Sequence, residues 1–294
     1  MSETSSNAIP AYLPLRNDLI GEEPYGAPQL DVPVCLNVNE NPYAPEPAVV
    51  ETIAQRVKEI APTLNRYPDR EHIELRKAFS TYLERESGVK LSVDQLWGAN
   101  GSNEIMLQLF QAFGGPGRIA LGCDPTYSMY PEYARDTFTT WKLAHRNADF
   151  TLNVDKVLEA IAEVKPSMVL LTSPNNPTAP HCRWGISNVF SPPAKPLKWS
   201  ARARACTRFS SSTKAYVEFR KPGTPSAVSL IKDHPNLAVS RTMSKASPSP
   251  VRESATWPRP RASSTACASC ACRTTCPPSP RPPPSPRSNT PTNS

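Results

Sequence analysis

The sequence predicts an α/β protein built on a mostly parallel sheet. Three observations lead there. Short apolar runs that read as strands alternate with longer segments of helical periodicity from about residue 30 to 178. One of those runs, Ser167–Thr172 (SMVLLT), is apolar almost throughout and shows no alternation, as a strand covered on both faces must be. The connections between runs are long enough to be helical crossovers, which parallel neighbours require.

The elements follow in order. Residues 1–30 are Pro-rich and irregular and read as an N-terminal arm. Val34–Val38 reads as a short strand, Ala48–Ile60 as a helix, and Arg70–Glu86 as a second helix with Ile73, Phe79 and Leu83 on one face. Gln95–Ala99 is a strand, and the helix after Asn100–Asn103 turns Met106, Leu109, Phe110 and Phe113 inward. Arg118–Gly122 is a strand, followed by a helix after Pro125, a strand over Thr139–Ala144 and a helix over Val154–Val164. Beyond the buried run, Tyr216–Phe219 and Leu237–Arg241 read as further strands.

Composition divides the chain. Of its 294 residues 35 are Pro and only 11 Gly, the reverse of ordinary usage. Residues 1–178 carry a net charge of −8 and residues 179–294 one of +15, so the overall +7 belongs to the second part alone. Residues 247–294 contain no Leu, Ile, Met, Phe, Tyr or Gly, and 12 of these 48 are Pro. Such a segment buries too little to offset ~1–2 kcal/mol of backbone ordering per residue, and it reads as a disordered tail. Residues 180–213 are nearly as poor and read as irregular.

No run approaches the ~18 apolar residues of a membrane span, which excludes a membrane helix. The first residues lack a basic start followed by an apolar run, so a cytoplasmic location and reduced thiols are expected. Arg252, Arg259, Arg261, Arg273, Arg281 and Arg287 in the tail suit phosphates, but stacking aromatics are almost absent, and no nucleic-acid partner is expected. Cys267, Cys270, Cys272 and Cys276 include a C-x-x-C spacing without His or a turn framework, so no metal site is expected.

Three segments carry candidate chemistry. Gly101–Ser102–Asn103 lies between a strand and a helix, where free amides bind anions; the alternative is that Ser102 or Asn103 merely caps the helix. Ser173–Thr178 (SPNNPT) follows the buried strand and by composition is a turn. Ser240–Lys245 (SRTMSK) closes another strand, and a Lys there is a candidate Schiff-base nucleophile if its amine is held neutral.

These three segments, with LNVNENPY (36–43), LNRYP (64–68), DPTYSMY (124–130) and AYVEF (215–219), resemble in order the fold-type I pyridoxal 5′-phosphate aminotransferases. Within that family the resemblance is strongest to the enzymes that transaminate histidinol phosphate with 2-oxoglutarate in histidine biosynthesis; another amino donor, such as an aromatic amino acid, is the alternative. The resemblance implies that Lys245 holds the cofactor as a Schiff base and moves the substrate proton. It implies that Tyr127 stacks on the ring and that Asn176 and Tyr216 bond its phenolic oxygen. Ser102, Asn103, Thr242 and Ser244 would hold the phosphate. Tyr67 would reach the phosphate of a neighbouring subunit, which implies a homodimer, and Tyr25 would face the substrate. The large domain would span 31–246.

The sequence departs from the family at three places. The family has Asp–Glu before the Ala–Tyr pair; here Thr213 and Lys214 stand there. That Asp keeps the ring nitrogen protonated, and a neutral Thr cannot. Ser247–Pro250 replaces a Gly-rich run with a phosphate-binding Arg, and the C-terminal small domain has no counterpart. The pattern stops at Thr178, resumes near Ala215 and stops again at Ala246. Segments rich in Pro, Ser, Arg, Ala and Cys are what GC-rich DNA gives in a wrong frame, so 179–214 and 247–294 are expected to be out-of-frame translations, with little activity in the chain as it stands.

Overall fold

Strand β4, Met168–Thr172, is buried at every position, and its side chains divide between two cores. Val169 and Leu171 join one, Met168 and Leu170 the other. This is the pattern of a strand covered on both faces. The computed structural model describes residues 12–22, 26, 28, 30–34, 37, 39–41, 43–178, 189, 209–214, 226–244 and 253–256, with 209–214 and 253–256 described by their backbone.

The chain divides into two units, Met1–Glu40 and Asn41–Ser294. In the first, a short 3-10 turn spans Asn17–Leu19, and Arg16 pairs with Asp18 at 2.6 Å. Val34 and Asn37 lie in bends, so the strand expected at 34–38 is not formed at its described positions. Pro33 before Val34 and the polar Asn37 and Asn39 leave too few residues for a ladder.

The second unit holds the sheet. Helices α1 (Pro47–Ile60) and α2 (Ile73–Ser87) lead to β1 (Leu96–Ala99) and α3 (Gly101–Phe113). Then come β2 (Ile119–Asp124), α4 (Met129–Asp136), β3 (Thr140–His145) and α5 (Val154–Val164), followed by β4. Strands β5 (Phe209–Lys214), β6 (Leu237–Arg241) and β7 (Glu253–Thr256) complete a seven-stranded sheet in the order β1-β7-β6-β5-β4-β2-β3. The pairs β2–β3, β2–β4, β4–β5 and β5–β6 are parallel, and β7 runs antiparallel to both β1 and β6.

Helices α2 and α5 cover one face through Phe79, Leu83, Val157 and Ile161. Helices α3 and α4 cover the other through Ile105, Met106, Leu109, Phe110, Tyr130 and Tyr133. Local chemistry sets their ends. The Asp69 carboxylate accepts the N–H groups of Glu71 and Ile73, each at 3.0 Å, so α2 starts three residues later than periodicity alone suggests. Gly88, at φ +70°, ends it in the left-handed conformation that glycine tolerates. Asn153 caps α5 by accepting from Lys156 N–H at 3.1 Å.

Two elements correct the sequence reading. Strand β5 falls within and just beyond the segment read as irregular, and β7 falls within the tail read as disordered. Both reflect one physical fact. A ladder is made by backbone groups, and a Pro-free stretch can supply them without an apolar side chain. Strands β1 and β6 each present an edge of unpaired groups, and β7 pairs with both. Val189, also in the segment read as irregular, is helical and fully buried against the α2–α5 face. The strand expected at Tyr216–Phe219 lies outside the described residues.

Phe110 is completely buried beneath α3. Phe110→Ala is expected to destabilise the fold by ~3–5 kcal/mol, read from the urea midpoint; a loss under ~1 kcal/mol would show that this face is not a packed core.

Candidate functional site at the carboxyl edge of the sheet

Because the strands that carry them are parallel, the segments following β1, β2, β4 and β6 all emerge at one edge. After β1 the chain turns at Gly101, whose φ of +88° a side chain would resist, and enters α3 at once. Ser102 and Asn103 therefore sit inside the first turn. The N-cap position is Asn100, which makes no side-chain cap bond, so the simple reading of Ser102 or Asn103 as the cap is not what the structure shows. The Glu104 carboxylate accepts the Asn100 N–H at 2.5 Å. The amides of the first turn point outward at the positive end of the helix dipole, as anion binding requires.

After β2, Tyr127 stands edge-on to the buried Tyr130 ring, with centroids 5.7 Å apart. The Tyr133 hydroxyl donates to Asn103 Oδ1 at 2.7 Å, and the Tyr127 hydroxyl lies 3.4 Å from the same oxygen. With its carbonyl engaged, the Asn103 amide group keeps its N–H donors for an anion. Tyr130 Oη and Thr172 Oγ1 form a buried hydroxyl pair at 3.1 Å at the end of β4.

After β4, Asn175 is buried and bonds the Pro125 carbonyl and the Thr178 hydroxyl, while Asn176 is half-buried beside it. After β6, the Thr242 and Ser244 hydroxyls pair at 2.7 Å, and Ser244 N–H donates to Thr242 Oγ1 at 3.0 Å. Arg241, just before them, is buried on Glu86 at 2.6 Å and lies over the Tyr82 ring.

The structure thus brings Asn103 and Tyr127 together, with Ser102 beside Asn103, and ties the loop before Tyr127 to the loop that carries Asn176. Thr242 and Ser244 form their own hydroxyl pair at the end of β6. Tyr67 is fully exposed and touches none of these groups. Lys245, Tyr216 and Tyr25 lie outside the described residues. Residue 213 is in register between Thr172 and Ser240. Ser240 Oγ is buried, and it finds no hydrogen-bond partner among the described residues. Sequence reasoning missed Tyr133, Thr172, Asn175 and Arg146. Their roles arise from contacts between separate loops, for which spacing gives no signal; Asn175, next to Asn176, was the one within reach.

Comparison with known proteins gives the arrangement its family. The model of the class I and II aminotransferases matches residues 32–182, half of the chain. The chain belongs to the class I and II aminotransferases. Histidinol-phosphate aminotransferases of Bifidobacterium adolescentis and Bifidobacterium longum are each 78% identical to it, over 84% and 82% of this chain and 63% and 62% of their own lengths. The chain thus spans about three fifths of those relatives. An alanine aminotransferase structure from Pyrococcus furiosus superposes with a TM-score of 0.66 at 19% identity, over 81% of this chain and 60% of that one, and shows the same fold. Enzymes of this aminotransferase family depend on pyridoxal 5′-phosphate. Among the described residues no helix is long and apolar enough to cross a membrane.

The turn that follows β3 has a pH dependence of its own. Its Asp149 carboxyl is held below the ordinary value, first by the Thr151 hydroxyl and then by the Thr151 N–H. A depressed folded pKa gives stabilisation that is complete above the unfolded value of ~3.9 and is lost as pH falls through the folded one. Protection of the amides at 147–151, corrected for the intrinsic pH dependence of exchange, is therefore expected to stay level down to about pH 4 and to fall below it. In Asp149→Asn that step should vanish; its persistence would assign the transition to another group.

Proposed function

We propose that this chain carries the cofactor-binding part of a pyridoxal 5′-phosphate-dependent aminotransferase, with histidinol phosphate as amino donor and 2-oxoglutarate as acceptor. The observation that carries the reading is the convergence of first-turn amides, Asn103, Tyr127 and the Asn176 loop on one sheet edge. The 78% identity to histidinol-phosphate aminotransferases supports the choice of donor.

The donor set fits the cofactor. Ser102, Asn103 and the α3 amides offer neutral hydrogen-bond donors for the phosphate, with Thr242 and Ser244 as hydroxyl donors on a neighbouring loop. Tyr127 offers a ring face and Asn176 an amide for the phenolic oxygen. Tyr216 would share that oxygen, and Lys245 would anchor the cofactor and carry a proton to and from the substrate carbon. When bound, the cofactor supplies an electron sink for a carbanion at that carbon. The chain's own residues supply position. Tyr130 and Tyr133 hold Tyr127 and Asn103 in place, so that little rearrangement is needed on binding. The large domain is proposed to span 31–246, with 1–30 as an arm bearing the substrate-side Tyr25.

A homodimer in the cytoplasm is proposed as the working form. Helix α1 buries none of its residues, and Val49, Val50, Ile53, Val57 and Ile60 are all exposed along it. Leu64 and Tyr67, which follow α1 in the chain, are also exposed, as expected if Tyr67 reaches a second copy. No nucleic-acid or membrane partner belongs to this reading.

The activity of the chain as it stands is proposed to be impaired. By its place two residues before the Ala215–Tyr216 pair, residue 213 corresponds to the family's carboxylate, and a Thr there would leave the ring nitrogen without a charged partner. Residues 179–214 and 247–294 are proposed to be out-of-frame segments, two strands of which are held in the sheet through backbone pairing. The coding DNA tests this: another frame should give Asp at 213 and a Gly-rich run with Arg after Ala246, and the idea fails if none does.

Purified chain mixed with pyridoxal 5′-phosphate should develop the visible absorbance of the bound cofactor, and Lys245→Ala should abolish it. Its absence in the unaltered chain would refute the reading. Replacing Thr213 by Asp should raise histidinol-phosphate turnover by ~100-fold or more, the scale of several kcal/mol of charge stabilisation. Equal rates in the 294-residue chain and a frame-corrected one would show that the departures do no damage.

A further inference from the structure

We propose that Arg146 is a positioning residue that locks the loop before Tyr127 and the loop bearing Asn176 into one unit; this rests on the reading of both residues as cofactor-facing. Arg146 follows β3, the edge strand, and is 8% exposed. Its side chain reaches across the end of β2. Nε donates to the Cys123 carbonyl at 3.4 Å, Nη1 to the Phe150 carbonyl at 3.3 Å and Nη2 to Asn175 Oδ1 at 2.9 Å. Its own backbone N–H donates to the Asp124 carbonyl at 3.2 Å.

Asn175, 3% exposed, completes the latch. Its Nδ2 donates to the Pro125 carbonyl at 2.9 Å and to Thr178 Oγ1 at 2.7 Å. One amide side chain therefore joins the end of β2, the turn after β4 and the guanidinium. Pro125 lies two residues before Tyr127, and Asn175 lies one before Asn176. Moving either loop breaks bonds of the same Asn.

The chemistry of Arg146 argues that the arrangement has a purpose. Among the described residues no carboxylate pairs with it; its partners are carbonyl and amide oxygens. A buried guanidinium without a counter-charge is costly, and a packing role alone would be served by a neutral side chain. A planar fork is suited to bonding three separate acceptors at once, which an ammonium or a neutral amide cannot reproduce. The retained positive charge also favours an anionic oxygen near the Asn176 loop.

The test compares the full chain with Arg146→Gln, Arg146→Lys and Asn175→Asp by amide exchange and by titration with pyridoxal 5′-phosphate. Asn175→Asp keeps an acceptor for Arg146 but loses the donor to Pro125 and Thr178, so it isolates the link between the loops. Exchange should rise at 125–130 and 173–178 together in Arg146→Gln and Asn175→Asp, with α3 and α5 unchanged. Cofactor affinity should fall about tenfold or more in both, the scale of one or two buried bonds, and Arg146→Lys should recover part of it. Exchange that rises only at 146–151, or evenly over the whole chain, overturns the latch. Loosened loops with unchanged affinity overturn its positioning role. If the unaltered chain binds no pyridoxal 5′-phosphate, the proposed function fails, while coupled exchange of the two loops still upholds the latch.

Discussion

Parallel strands cannot be joined by a tight turn, and that constraint organises everything else in this chain. Each crossover must return over a face of the sheet, so both faces are covered and a strand between them such as β4 is buried at every position. The same geometry sends the segments that follow β1, β2, β4 and β6 to one edge. Residues as distant in sequence as Asn103 and Tyr127, or Pro125 and Asn175, are neighbours there because the strands before them run the same way. The site is a consequence of the sheet.

What holds the edge in order is a polar network built on the apolar core. The hydroxyls of Tyr130 and Tyr133 come from α4, whose ring bodies pack against α3. Each buried ring thus serves the fold with its body and the site with its oxygen. Arg146 and Asn175 add a second tie from the other end of the edge. The hydroxyl of Ser240 is buried without a hydrogen-bond partner among the described residues, in register with residue 213, where the proposed function puts a departure from the family.

Much of the fold was legible in the residues. Helix α5 and strand β6 lie where periodicity and apolar runs place them, and β4 differs by one residue, because side-chain burial decides those segments. Helix α2 begins later because Asp69 captures the amides ahead of it, a local bond that periodicity does not register. Strands β5 and β7 were illegible for a different reason: FSSSTK and ESAT carry no strong apolar pattern, and their place in the sheet comes from backbone pairing with neighbours. At the candidate site, Ser102, Asn103, Tyr127 and Asn176 were named through family resemblance, whereas the contacts of Tyr133, Asn175 and Arg146 arise only in the folded chain.

A crystal structure of the chain with pyridoxal 5′-phosphate tests most directly whether one sheet edge forms a single cofactor site. The phosphate is expected on the first-turn amides of α3 beside Ser102 and Asn103, with the ring against Tyr127 and its phenolic oxygen at Asn176. A cofactor bound elsewhere on the chain, or a phosphate away from α3 with Tyr127 and Asn176 untouched, would contradict it.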